Sequence, residues 1–172
     1  MAVYALGDAE PEIHPSAFVH PDAVVVGRVT IGAESTVWPH AVLRGDYGRI
    51  SVGEQTSIQD GTVVHATAEH ATVIGSRCVI GHLAHLEGCT VEDDTLIGSG
   101  AVVLHRAVVR SGSLVGAGAV VPNGMDVPAG AMALGVPAKL RPDTVEPGQF
   151  DDNVALYVAN GKRYRQSLRR LD

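Results

Sequence analysis

The chain has 172 residues, a formal charge of -6, 45% apolar residues and only 4% aromatics against 20 glycines. This length fits one domain with a short appendage, and an acidic balance without clustered Lys and Arg argues against a nucleic-acid or anionic-membrane surface, so a small molecule is the expected partner. No stretch approaches the roughly 20 apolar residues of a membrane span, and the first seven residues lack the basic start and apolar run of a signal peptide, so a cytoplasmic protein is expected.

In chain order, an apolar residue recurs at six-residue steps: Ile13, Val19, Val25, Ile31, Val37 and Leu43; Val52, Ile58 and Val64; Ile74, Ile80 and Leu86; then Val91, Ile97, Val103, Val109, Val115, Val121 and Val127. Four positions after each member of the last run stand Thr95, Ala101, Ala107, Ser113, Ala119, Met125 and Ala131, of which only the Met is bulky. Six residues suit one short strand and one turn, and are too few for a hairpin or a helix pair. Three such units form a triangular rung, and rungs stack at about 4.8 Å. The predicted fold is all-β, a left-handed parallel β-helix of hexapeptide repeats over residues 1–140. A connector and a C-terminal α-helix packed on the prism follow over 141–172. Pairs such as Ile31-Gly32, Val52-Gly53 and Ile97-Gly98 are read as corners needing relaxed backbone geometry. Cys78 and Cys89 are too few for a disulfide scaffold and are expected to be buried thiols.

The period breaks three times. Leu43 to Val52 takes nine residues and Val64 to Ile74 takes ten, which predicts loops bulging at Arg44–Ser51 and His65–Val73; Leu86 to Val91 shrinks to five. Insertions in a solenoid emerge as surface loops, commonly used for binding. After Pro137 the repeat stops, and Asn153–Leu171 is predicted to be an amphipathic helix with Val154, Tyr157, Val158, Leu168 and Leu171 on one face. The basic residues from Lys162 to Arg165 are read as its solvated side.

Register brings the polar residues together. Leu43, Val64 and Leu86 share one prism side, so Arg44, His65 and Glu87, each one residue later, form an outward ladder about 4.8 Å per step. His82 sits at the corner before this side, one rung beyond Asp60, and His85 lies at its near edge. Imidazole and carboxylate together suit Zn, Fe or Co, and a catalytic site keeps one position open for water.

Val37-Trp38-Pro39 leading to Leu43-Arg44-Gly45-Asp46, then Ile58-Gln59-Asp60-Gly61, Val64-His65, Gly81-His82, Gly88-Cys89 and Gly135-Val136-Pro137-Ala138 together resemble the γ-class carbonic anhydrase family of hexapeptide proteins. The resemblance covers nearly the whole chain. It implies a homotrimer with three metal sites at subunit interfaces, where three His bind Zn or Fe and activated water hydrates CO2 to bicarbonate. By resemblance His65 is the first ligand and His82 the one given across the interface. The family's third His is replaced by Glu87, leaving three readings: Glu87 binds as a carboxylate, His85 supplies the nitrogen from about 6.6 Å along the strand, or the site is weakened. The resemblance also places Arg44 and Asp46 in an interface ion pair, Gln59 on the activated water and Asp60 behind a ligand. The family's acidic proton-shuttle loop is not recognisable; the first loop reads Tyr47-Gly48-Arg49 and the second carries Glu69-His70. Two alternatives stand beside carbonic anhydrase: a metal-binding protein without turnover, and a coenzyme A-dependent acyltransferase using His70 or His105 as general base.

Overall fold

The computed structural model describes residues 2–172; Met1, the first residue of the expected solenoid segment, lies outside them. Strands of two or three residues, with two longer ones at Val24–Ile31 and Val42–Val52, alternate with turns and stack in parallel, giving a β-solenoid of about seven turns. The first face runs from the first halves of Val24–Ile31 and Val42–Val52 through Val63–His65, His85–Glu87, Val102–Val103 and Val120–Val121. On the second face the later halves of the same two long strands are followed by Thr72–Ile74, Thr90–Val91, Val108–Val109 and Asp126–Val127. The third face stacks Phe18–Val19, Thr36–Val37, Ser57–Ile58, Val79–Ile80, Leu96–Ile97, Leu114–Val115 and Met132–Leu134. An antiparallel strand, Lys139–Arg141, pairs with the last of these.

The predicted inward residues form the core. Val91, Ile97, Val103, Val109, Val115, Val121 and Val127 have no exposed surface, nor do Ala101, Ala107, Ala119 and Ala131 between them. Each buried Val or Ile contributes roughly 1.5–3 kcal/mol relative to an exposed one. Hydroxyls among the small residues are satisfied from rung to rung: Ser35 Oγ donates to the Gly53 carbonyl at 2.6 Å and Thr56 Oγ1 to that of Gly75 at 2.7 Å. Cys78 and Cys89 are buried as expected, and burial pushes both thiols up to about 12, which makes them inert packing groups.

Both predicted insertions leave the ladder, and one local expectation changes. Arg44–Ser51 bulges within one long strand, Val42–Val52: the register with Val24–Ile31 jumps from Gly27 opposite Gly45 to Val29 opposite Ile50, and on the other edge pairing stops at Arg44 with His65 and resumes at Ile50 with Thr72, so Asp46–Arg49 have no ladder partner. The ladders on either side anchor both ends of the bulge, where Leu43, Gly45 and Ile50 are buried, while Arg44, Tyr47 and Arg49 are exposed. The second predicted loop does leave the ladder, between Val63–His65 and Thr72–Ile74. The glycine after an apolar residue serves close approach between rungs, not an unusual φ: a Cβ on Gly53 would lie 2.6 Å from the Gly75 carbonyl carbon.

The helix spans Asp151–Ser167 and ends before Leu168 and Leu171, which stand 45% and 81% exposed and take no part in its packed face. Val154 is buried against the third face. Gly161 lets the backbones approach, since a Cβ there would lie 2.6 Å from Thr36 Cγ2. Much of the sparse aromatic content gathers at this seam: the Tyr164 ring centroid is 5.1 Å from that of Trp38 and 5.8 Å from that of Phe18, with Tyr157 6.2 Å from Trp38. Lys162, exposed as expected, also pairs with Glu34 at 2.6 Å, and Arg77 bridges Asp94 and Asp151. Among the described residues, no helix is long and apolar enough to cross a membrane.

Candidate functional site

The register of the first face sets the site. Arg44 pairs with His65 across one rung and His65 with Glu87 across the next, so the outward ladder stands as the repeat predicts. The His65 ring lies between two carboxylates: Nδ1 is 2.6 Å from Glu87 Oε1, and Nε2 is 3.0 Å from Asp46 Oδ1. Asp46 also accepts from the Arg44 guanidinium. Asp46 reaches this group as the first residue of the bulge, just after Gly45. His65, Asp46 and Glu87 side chains are only 13%, 20% and 23% exposed, less so than the surface ion pairs elsewhere on the prism.

The two acids respond differently to this setting. The hydrogen bond from His65 outweighs burial and holds Glu87 below the usual carboxylate range. At Asp46 burial is the largest single influence and pushes upward, but the hydrogen bonds from Arg44 and His65 and the charge of Arg44 oppose it, and on balance its pKa is also lowered.

His82 stands apart from this cluster, at the corner, with Nδ1 3.0 Å from Asp60 Oδ2. A carboxylate on one ring nitrogen orients the imidazole and leaves the other nitrogen free for a ligand role. Gln59, beside Asp60, is 4% exposed and is fixed through its backbone, the N–H donating to the Ile80 carbonyl and the carbonyl accepting from Thr62. Its side chain makes no hydrogen bond among the described residues. His85 turns toward Glu87, with Nε2 3.4 Å from Oε2.

One residue at this site has a place in the sequence only as the general base of an acyltransferase. His105 Nε2 lies 3.6 Å from Glu87 Oε2, and the His70 ring centroid is 5.8 Å from that of His105. The signal was present in the spacing. The five-residue step after Leu86 shortens that rung, so His85 pairs with Val102, 17 residues on, and the same offset sets His105 opposite Gly88. A Cβ on Gly88, whose φ is +60°, would lie 2.9 Å from both His105 Cδ2 and His70 Cβ, so glycine makes the room both imidazoles occupy.

Among the described residues, no group of three or more His, Cys, Asp or Glu side chains already surrounds a common point as a metal site. Within one chain the structure thus brings Arg44, Asp46, His65, His85 and Glu87 together and keeps Asp60 and His82 as a separate pair.

The bacterial transferase hexapeptide profile (six repeats) matches residues 10–45, 71–105 and 88–123. Over 160 residues the chain is 42% identical to gamma carbonic anhydrase 1, mitochondrial, of Arabidopsis thaliana, covering 89% of this chain and 58% of that protein. Over 139 residues it is 40% identical to the carnitine operon protein CaiE of Escherichia coli K12, covering 81% and 71%. The chain belongs to the γ-carbonic anhydrase-like family of hexapeptide-repeat proteins. This γ-carbonic anhydrase-like chain is also similar to a hexapeptide transferase family protein of Anaplasma phagocytophilum, with a TM-score of 0.90, 34% identity and 95% and 98% of the two chains covered. A Bacillus cereus protein provisionally assigned as an acetyltransferase gives a TM-score of 0.92 at 28% identity, covering 96% and 97%.

Proposed function

We propose that this protein is a γ-class carbonic anhydrase that hydrates CO2 reversibly at metal sites shared between the subunits of a homotrimer. The observation that carries the reading is His82 on Asp60: the 3.0 Å contact fixes Nδ1, and the ring projects from a corner, half exposed, where no other acid among the described residues pairs with it. A ligand held ready in this way needs donors from outside its own chain. In a neighbouring subunit His65 and Glu87 offer an imidazole and a carboxylate already in contact. This donor set suits Zn, with Fe or Co as alternatives. His65 has a carboxylate on each ring nitrogen, so one of the two gives way to the ion while the other continues to orient the ring.

When bound, the metal supplies a nucleophilic hydroxide near neutral pH by lowering the pKa of water to about 7. The chain's own residues do the rest. Arg44 and Asp46 hold an ion pair at the interface and keep His65 in place; Asp60 does the same for His82; Gln59 orients the reacting water. Val63 and Leu83, apolar side chains 37% and 71% exposed beside His65 and His82, provide contacts for a non-polar substrate. His70 or buffer takes up the released proton.

The test is metal content and turnover on protein purified without an affinity tag. Zn, Fe and Co are measured for the wild type, His65→Ala and His82→Ala, and CO2 hydration is followed by stopped flow. Both variants are expected to lose metal and hydration together; unchanged metal content in either would refute the site. Metal uptake without hydration would instead identify a binding protein. The likeness to the Bacillus cereus protein favours a second reading, acyl transfer, for which acetyl-CoA is expected to raise the melting temperature.

A further inference from the structure

Glu87 divides its carboxylate between two sets of histidines. Oε1 belongs to His65, at 2.6 Å, while Oε2 faces His85 Nε2 at 3.4 Å and His105 Nε2 at 3.6 Å. These last two spacings exceed the 2.7–3.2 Å typical of an N–H···O hydrogen bond. They are close to the separation of about 3.3–3.4 Å between donors on a tetrahedral ion with bonds of about 2.0–2.1 Å. His105 Nε2 is also enclosed by protein and has no hydrogen-bond partner, a rare state for a buried polar atom and one that asks for an explanation. Gly88 provides the cavity for this ring, since any Cβ there would meet His105 and His70.

We propose that His85, Glu87 and His105 form a second site for a divalent transition-metal ion, contained within one subunit and independent of His82. The three donors come from two successive rungs, His85 and Glu87 from the strand His85–Glu87 and His105 from the turn after Val102–Val103. Two imidazoles and a carboxylate suit Zn or Co, with water or the His70 ring in the fourth position. Binding requires His85 and His105 to swing inward, because the donors do not yet surround one point. Their side chains are 37% and 35% exposed, which leaves them that freedom and leaves the ion a path from solvent. The shared carboxylate sets this ion beside the one proposed between subunits, with Glu87 serving one ion through each oxygen.

Titration of the metal-stripped, full-length protein with Co2+, followed by visible absorption and calorimetry, tests the site. Wild type is expected to bind two equivalents per chain. His105→Ala loses one of them and keeps the other, while His82→Ala loses the other and keeps the His105-dependent one. Equal stoichiometry and affinity for His105→Ala and wild type would overturn the proposal, whatever His82→Ala does. If only His82→Ala loses metal, the interface site stands and this one falls; if only His105→Ala does, the reverse holds. His105→Gln, which keeps a polar side chain in the Gly88 hollow, guards against misfolding of the alanine variant and is expected to weaken this equivalent at least tenfold, the scale of lost support at a metal centre.

Discussion

The rungs from Val91 to Ala133 and those from Val42 to Thr90 are built on the same repeat and do different things. In the later rungs the period never varies, and charged side chains lie on open faces: Arg110 meets Asp126 at 2.6 Å and Glu92 at 3.4 Å, with all three side chains 37–51% exposed. Pairs of this kind contribute at most about 1 kcal/mol. In the earlier rungs the period breaks three times, and there Asp46, His65 and Glu87 converge with side chains less than a quarter exposed. Regularity gives a ladder in which each residue sees its like one rung away. A change in rung length offsets neighbouring rungs and brings unlike side chains opposite one another, which is how His105 comes to face Gly88.

The sharpest way to separate the two regions is to damage the regular one. Ile97→Ala opens a cavity in a fully buried site and is expected to cost about 2–5 kcal/mol in denaturant unfolding, with metal uptake per folded chain unchanged. A parallel loss of metal would show that the regions are not independent. Asp60→Asn does the opposite. It removes the carboxylate behind His82, so metal affinity is expected to fall about 10–100-fold, while the melting temperature barely moves because the pair is half exposed.

The smallest effect is in acid. Glu87 has its pKa lowered in the folded chain from an ordinary value of 4.5, so the stability it contributes is complete above about pH 4.5 and is lost as pH falls through the lower folded value. Asp46 behaves likewise from 3.8. In metal-free protein, Glu87→Gln is expected to flatten the loss of stability below pH 4.5, and Ile97→Ala to keep the wild-type slope from a lower starting point; equal slopes for Glu87→Gln and wild type would remove Glu87 from the acid response.

The fold and half of the candidate site were legible because both follow from counting. Residues 21 or 22 apart that fall on the same side of a rung must be neighbours, which is why Arg44, His65 and Glu87 stand in line and His82 meets Asp60. What counting missed depends on where chains and side chains go between strands. The nine-residue step from Leu43 to Val52 showed that residues leave the ladder, but not that the bulge stays within one long strand whose two ends are paired on both sides. His105 sits in a turn, so the period fixes its rung but not the direction of its ring. The apolar pattern of the helix continued into Leu168 and Leu171, but the helix ends at Ser167 and leaves both of them substantially exposed.

The seam between helix and prism has an optical consequence. Trp38 is the single tryptophan of the chain; it is 7% exposed, its Nε1 donates to Ser57 Oγ at 2.9 Å, and the helix residues Tyr157 and Tyr164 cover its ring. Its fluorescence therefore reports on the lifting of the C-terminal helix as well as on the unfolding of the prism. A red-shifted emission before the main unfolding transition would mean that the helix leaves first and the bare solenoid persists. A spectrum unchanged until the whole chain melts would make the helix a cooperative part of the prism.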